Sequence, residues 1–428
     1  MAKTINVITM GCSKNLVDSE KLMSQLDANH FTVLHDSDKH ADIVIINTCG
    51  FINDAKEESI NMILRYAKLK KRKNIEKLFV IGCLSQRWAD ELRAEIPDVD
   101  DFFGTNDLDK ILHSLNAELH RDVISERIIT TPKHLAYLKI AEGCNRSCAF
   151  CSIPIIRGNY ISTPIPQIID EAQRLVDKGV KELMVIAQDL SLYGVDLNGK
   201  QQLPDLLDKL SMIKGLEWIK LHYIYPNDFP REILQLMAER QSICNYIDIP
   251  FQHINDGVLK QMKRNFTKEK TYDLLHYIRQ TVPDIALRTT FLVGHPGETE
   301  EAYQELHSFI KEARFDRLGV FQYSHEEGTY SFNNFQDNIG EHIKAARAEE
   351  IMMAQQDISF EKNQEKIGKT LRTIIDSKEG DFYIGRTQYD SYEVDNEVLI
   401  KSKSLEIGNM YDVLITDAGD FELYGSIA

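Results

Sequence analysis

Three cysteines, Cys144, Cys148 and Cys151, lie in the stretch Gly-Cys-Asn-Arg-Ser-Cys-Ala-Phe-Cys that begins at Gly143 and directly follows an apolar run. Spaced by three and then two residues on a tight loop, their sulfurs can turn toward one point and grip a soft metal centre. A cubane iron–sulfur cluster is usually held by four thiolates, so a local set of three leaves one iron open to a ligand that is not protein. Zinc is the competing reading, but zinc prefers a closed set of four ligands. The nearest candidate for a fourth, His134, lies ten residues before Cys144 on the far side of the apolar run.

The C-x3-C-x2-C spacing, with the aromatic Phe150 just before the third cysteine, resembles the signature of radical S-adenosylmethionine enzymes. The resemblance implies that the open iron chelates the amino and carboxylate groups of S-adenosylmethionine. One electron from the cluster then yields methionine and a 5′-deoxyadenosyl radical.

Three further cysteines fall in equivalent places. Cys12, Cys49 and Cys83 each follow an apolar run, and they are 37 and 34 residues apart. In a parallel sheet such positions share the carboxyl edge, where open α/β sheets bind their ligands. Glycines beside them let the backbone approach closely. A lone cysteine at a strand end reads as a small buried hydrophobe; three at equivalent ends predict a second three-cysteine cluster. Cys244 has no partner nearby and reads as structural.

The elements that must position these groups alternate. Over the first 120 residues strands are expected at 5–10, 42–48, 78–81 and 101–103, with helices at 15–29, 53–70 and 86–96, the pattern of an open, mostly parallel sheet covered by helices. The basic run at 69–77 suits a helix C-terminus better than a nucleic-acid contact. Residues 121–134, with their charges, threonines and Pro132, look like a linker. Apolar runs at 136–140, 183–187, 218–224, 246–251, 286–293 and 318–323 then supply six strand–helix units, enough for most of a β/α barrel.

Chemistry in such barrels sits at the carboxyl ends of the strands. The polar residues there are Gln188 and Asp189, His222 and Tyr223, Gln252 and His253, Arg288 and the turn Gly294-His295-Pro296-Gly297-Glu298. Gln188, Gln252 and Arg288, with Phe150, are the expected S-adenosylmethionine contacts. His253 is left without a role, because a radical abstraction removes a hydrogen atom and needs no general base. A helix over 341–366 leads to five short strands (370–375, 382–387, 398–401, 410–416 and 421–426), which fit a small OB-like barrel set off as a separate module.

With 428 residues, 43% hydrophobic and 27% charged, the chain reads as globular and of about three domains. The expected divisions are 1–120, 130–362 and 363–428. Fifty basic against 66 acidic residues leave a formal charge of −16, a poor basis for holding phosphate backbones and a better one for a basic partner. From 363 to 428 there are seven basic and thirteen acidic residues, a net of −6. Seven cysteines, an odd number, argue for reduced thiols serving metals. The short apolar run at the N-terminus and the lack of an 18-residue apolar stretch predict a cytoplasmic protein with no membrane partner.

Cysteines in the order one, one, one and then C-x3-C-x2-C, followed by a small β barrel, resemble the methylthiotransferases over essentially the whole chain. That family implies two 4Fe–4S clusters, an auxiliary one on Cys12, Cys49 and Cys83 and a radical one on Cys144, Cys148 and Cys151, with a TRAM domain at the C-terminus. One of its branches modifies an adenosine of tRNA; another modifies the β-carbon of an aspartate in ribosomal small-subunit protein S-twelve. The stretches Gly11–Glu20, Asp248–His253 and Phe321–Ser324 resemble the second branch, departing from it at Ser13, where proline is common, and at His295, where phenylalanine is common. The implied partners are that protein or the assembled small subunit, a reductant for the clusters and a sulfur source; tRNA is not expected. A tRNA methylthiotransferase would share every cysteine. An iron–sulfur carrier would share the clusters but has no use for the barrel.

Overall fold

Runs such as Ile-Val-Ile-Ile, apolar at every position, can be satisfied only by a strand covered on both faces, and the N-terminal sheet is built that way. The structure, a computed structural model, describes residues 2–428. Strands β1 (Thr4–Thr9), β2 (Thr32–His35), β3 (Ile43–Thr48), β4 (Lys77–Gly82) and β5 (Asp101–Phe102) are all parallel, in the order β2-β1-β3-β4-β5. Helices α1 (Ser13–Ala28) and α4 (Leu108–Ser114) pack on the face carrying Ile43 and Ile45; α2 (Asn53–Lys71) and α3 (Cys83–Glu95) pack on the face carrying Val44 and Ile46. The edge strand β2 is not apparent in the sequence, being four residues long and only partly covered. α3 begins at Cys83 rather than at 86, because Gly82 turns the chain at φ +98°. Lys70 and Lys71 close α2 by pairing with Asp100 and Asp98.

The expected linker is a fastened strap. The Arg127 guanidinium is buried between Glu20 of the N-terminal sheet's first helix and Glu171 of the barrel, at 3.0 Å from the latter. A buried charge is stable only when paired and hydrogen-bonded, so this segment cannot swing freely.

The barrel strands are β6 (Leu135–Lys139), β9 (Glu182–Ile186), β10 (Trp218–Leu221), β11 (Ile243–Asp248), β12 (Ala286–Val293) and β13 (Arg317–Gln322). They form one open parallel sheet in sequence order, and β7 (Ala141–Glu142) and β8 (Ile161–Ser162) make a short antiparallel clasp beside it. Helices α5 (Ile153–Arg157), α6 (Ile165–Asp177), α7 (Val195–Asn198), α8 (Leu203–Ser211), α9 (Glu232–Glu239), α10 (Asp256–Gln261), α11 (Lys268–Thr281), α12 (Glu300–Ala313), α13 (Tyr330–Asn334) and α14 (Glu341–Gln364) complete this part. Leu183, Val185, Ile219, Leu221 and Leu287 join the core under the helices. The alternate residues Glu182, Lys220, His222 and Arg288 therefore face the concave side. β11 lies three residues earlier than expected, since Pro250 has no amide for the ladder.

Strands β14 (Thr370–Glu379), β15 (Phe382–Thr387), β16 (Glu397–Lys401), β17 (Met410–Ala418) and β18 (Glu422–Ile427) close into a barrel in the order β14-β15-β16-β18-β17. This module is fastened to the larger barrel by its contacts. Arg386 reaches Glu182 at 2.7 Å and Asp376 at 2.7 Å; Lys220 meets Glu182 at 2.8 Å, Arg288 meets Asp395 at 2.7 Å, and Arg317 pairs with Asp390. These side chains are nearly all buried, so the small barrel plugs the base of the large one. Among the described residues no helix is long and apolar enough to cross a membrane.

Candidate cluster sites and the chamber between them

The register of the N-terminal sheet brings its three cysteines together. Thr48 pairs with Gly82 and Thr9 with Asn47, so Cys49 and Cys83 emerge side by side from β3 and β4, with Cys12 three residues past β1. Gly11 (φ +89°) allows this: a Cβ there would sit 2.7 Å from the Cys49 Cβ and 3.0 Å from its Sγ. Cys83 Sγ lies 3.6 Å from Asn15 Oδ1 and accepts a hydrogen bond from Arg157 Nη2 at 3.3 Å. Burial pushes the Cys83 thiol up to about 12 although Arg157 opposes it, and burial raises Cys49 as well.

The second triad sits where β6 gives way to a loop. Gly143 (φ +78°) makes the turn, and any side chain there would strike the Asn159 carbonyl. The loop is pinned by backbone hydrogen bonds from Cys144 to Gly158 (3.1 Å) and from Ala149 to Met262 (2.9 Å). Each sulfur has a donor: the Arg146 amide to Cys144 at 3.4 Å, the Ile153 amide to Cys151 at 3.5 Å and Arg264 Nη1 to Cys148 at 3.3 Å. Such N–H···S contacts stabilise thiolates and tune a cluster's potential. The Tyr225 ring is stacked between Arg146 and Arg264, each 4.2 Å from its centroid, and Arg146 is oriented by Asp189 at 2.7 Å. Burial pushes the Cys144 thiol up to about 11 and raises Cys151 too.

Two sets of three thiols, with N–H donors on the sulfurs of the second and Arg157 on Cys83, suit iron–sulfur clusters by the chemistry of their donors. Thiols raised by burial release their protons only to a strongly binding metal centre. His134 is no ligand here, because its Nε2 pairs with Asp376 at 2.8 Å. Cys244 is fully buried against Trp218 and Tyr246, as a structural cysteine should be.

The two carboxyl edges face each other. Arg157 spans them, donating to Cys83, Asn15 (2.5 Å), Asp18 (2.7 Å) and Glu142 (3.1 Å). Lys139 at the end of β6 also pairs with Asp18, and Lys14 of α1 lies over the Tyr223 ring, 3.2 Å from its centroid. Burial lowers Lys14 to about 8 and raises Asp248, at the end of β11, to about 6 in spite of nearby Arg288.

Of the expected cofactor contacts, Gln188 and Gln252 lie past the ends of β9 and β11. Gln188 donates to Glu142 at 2.7 Å while its Oε1 is buried without a partner. Gln252 is left-handed (φ +73°) and its backbone is tied to Thr290 and Leu292. Phe150 packs on the cluster of Val258, Met262, Leu292 and Tyr323, with its ring edge to His295. Arg288 differs: Asp395 draws its guanidinium toward the C-terminal barrel. His253 is fully buried, its Nδ1 accepting the Asn255 amide at 3.0 Å. Lys14, Arg157, Tyr225 and Arg264 carry no spacing signal in the sequence.

Residues 4–104 match the uncharacterized protein family UPF0004, residues 138–310 the radical SAM superfamily and residues 367–428 the TRAM domain. The chain resembles a radical S-adenosylmethionine methyltransferase, TsrM of Kitasatospora setae, with a TM-score of 0.54 at 14% identity over 75% of each chain. The cobalamin-dependent radical enzyme OxsB gives 0.52 at 13% identity over 82% of this chain and 56% of the other. These likenesses show the fold alone; the middle match together with the relatives below makes the chain an enzyme of the radical S-adenosylmethionine class. It is 53% identical to the ribosomal protein uS12 methylthiotransferase RimO of Bacteroides fragilis, over 99% of both chains. It is also 53% identical to that of Phocaeicola vulgatus over 99% of both, and 50% identical to that of Flavobacterium johnsoniae over 99% of this chain and 98% of the other. The chain belongs to the RimO family of methylthiotransferases.

Proposed function

We propose that this enzyme adds a methylthio group to the β-carbon of an aspartate in ribosomal protein uS12. In this reading Cys144, Cys148 and Cys151 hold one 4Fe–4S cluster, and Cys12, Cys49 and Cys83 hold the other. The observation that carries it is that the two sheet edges bearing the cysteine triads face each other, joined through Arg157 and Lys14: radical formation needs one triad, and sulfur insertion gives the second a purpose. When bound, the barrel's cluster supplies the electron that splits S-adenosylmethionine into methionine and a 5′-deoxyadenosyl radical, and the other cluster serves sulfur transfer.

The chain's own residues hold the reactants and exclude water. Arg264 and the Arg146 amide donate to the sulfurs of the barrel triad and Arg157 to Cys83, fixing the ligands in place. Phe150, Gln188 and Gln252 form the rim assigned to S-adenosylmethionine, while Arg288 is assigned mainly to docking the C-terminal barrel. One β-hydrogen would leave in 5′-deoxyadenosine, giving a carbon radical to which the sulfur would be joined with the surplus electron passing to the iron–sulfur group, and a second S-adenosylmethionine would supply the methyl group and leave as S-adenosylhomocysteine. A reductant and a sulfur source must come from outside the chain.

Charge favours a ribosomal protein over tRNA. Asp376, Asp390 and Asp395 are buried with Arg386 at the joint, so the net of −6 overstates the surface of the C-terminal barrel. Glu379, Asp381, Glu393, Glu397, Glu406, Asp412 and Asp417 nevertheless remain exposed. They repel phosphate and attract a basic ribosomal protein. The test is mass spectrometry after incubating reconstituted enzyme with small ribosomal subunits or with tRNA. A methylthio mass gain on an aspartate of uS12, with no thiomethylated adenosine, is expected. Modified tRNA beside unmodified uS12 would overturn the reading.

A further inference from the structure

The cations that join the two halves of the chamber are paired, with one exception. Arg157 and Lys139 share Asp18 and Glu142, and Arg127 lies between Glu20 and Glu171. Lys14, in the first turn of α1 and two residues past Cys12, is 8% exposed. Among the described residues no carboxylate lies within 4 Å of its ammonium and no acceptor hydrogen-bonds to it; the face of Tyr223 lies against it, and Cys12, Asp248 and Glu142 act on it only from beyond ion-pair reach. Asp248 accepts the Tyr223 amide at 3.3 Å. An ammonium held this deeply without a direct ion pair is costly, and one aromatic face compensates only part of the lost hydration.

We propose that Lys14 binds the side-chain carboxylate of the target aspartate; this rests on the reading of the substrate given above. The position suits the task. Lys14 stands between the N-terminal triad and the end of β10, so a carboxylate held there places the adjacent β-carbon between the two cluster sites. S-adenosylmethionine, assigned to the Cys144 loop after β6, lies across β9 from Tyr223 in the strand order. The ammonium makes charge-assisted hydrogen bonds to an aspartate and loses the charge interaction with an asparagine. Lys14 is thus a specificity-determining residue as well as an anchor.

The experiment first identifies the aspartate that the wild-type enzyme modifies in uS12. It then measures binding of fluorescein-labelled uS12 peptides carrying that aspartate, or asparagine in its place, to reconstituted wild-type, Lys14→Met and Lys14→Arg proteins of matched iron content. Wild type is expected to prefer the aspartate peptide by about tenfold or more. Lys14→Met should lose that preference, and Lys14→Arg should recover part of it. In turnover with uS12, Lys14→Met should also raise at least tenfold the 5′-deoxyadenosine released per aspartate modified. An undiminished preference in Lys14→Met sinks the proposal, as does 5′-deoxyadenosine formation that falls in step with modification, which would assign the amine to S-adenosylmethionine. Should Lys14→Met not fold, Lys14→Gln takes its place: loss of the aspartate preference supports the proposal, and an undiminished preference overturns it. A wild-type enzyme that leaves uS12 unmodified defeats the reading of the substrate itself, a result distinct from both.

Discussion

The guanidinium of Arg157 ties the edge of the N-terminal sheet to the rim of the barrel. Its fork serves Cys83, Asn15, Asp18 and Glu142 at once, which a lysine's point charge cannot do. Replacing it by leucine leaves two half-buried carboxylates, Asp18 and Glu142, with Lys139 as their one remaining cation. The expected loss is about 3–5 kcal/mol, read as a lower urea midpoint, and Arg157→Lys should recover only a minor part. A destabilisation below about 1 kcal/mol would show that the bridge is dispensable. The cysteines themselves give a second prediction. The Cys12/Cys49/Cys83 triple alanine variant should lose about half the bound iron and all methylthiolation while still releasing 5′-deoxyadenosine, because the barrel triad is intact. Alanine at Cys144, Cys148 and Cys151 should abolish that release. Unchanged iron in the first variant would show that the N-terminal triad holds no cluster.

At the scale of elements, the strand-to-helix turns do the positioning. Gly82 ends β4 at φ +98°, and an added Cβ would lie 2.4 Å from Asn47 Oδ1 and 2.6 Å from the Thr48 carbonyl oxygen. Gly82→Ala must therefore push β3 and β4 apart where Cys49 and Cys83 emerge. The expected cost is about 1–3 kcal/mol for the backbone strain alone, with iron lost from the N-terminal site and S-adenosylmethionine cleavage retained. Iron content at the wild-type level would mean that the strand ends can yield without moving their thiols.

The whole molecule is held by its buried joints. Burial alone would raise Glu182, but Arg386 and Lys220 overcome it and hold the carboxyl at about 2, below the 4.5 of a free glutamate. A depressed carboxylate contributes its stability in full above the unfolded value and loses it as pH falls through the folded one. That shift corresponds to about 3 kcal/mol present at neutral pH and lost between about pH 5 and 2. Trp218, 3% exposed, packs against Ile374 of the small barrel and reports on the joint. With Trp88 replaced by phenylalanine, Trp218 emission should shift to the red as pH falls through that window. Glu182→Gln should open the joint at lower urea and flatten the acid dependence. An acid profile identical with and without Glu182 would remove this pair from the account.

The sequence by itself determined the two runs of strand–helix units and the closing five-stranded barrel, and it singled out the six cysteines proposed as cluster ligands. Such information is local: spacing within one loop, alternation within one strand and glycine beside a turn are written over a few residues. It also anticipated that Cys12, Cys49 and Cys83 would share an edge, because parallel order puts every strand end on one side. Only the tertiary structure decided that this edge faces the barrel's rim, that Arg127 turns an apparent linker into a strap, and that Asp395 takes Arg288. Arg157 meets Cys83 across 74 positions and Arg386 meets Glu182 across 204. No periodicity or motif pairs charges that far apart. Their partners are chosen when the three parts pack, because each buried charge must find an opposite one in the space that packing leaves.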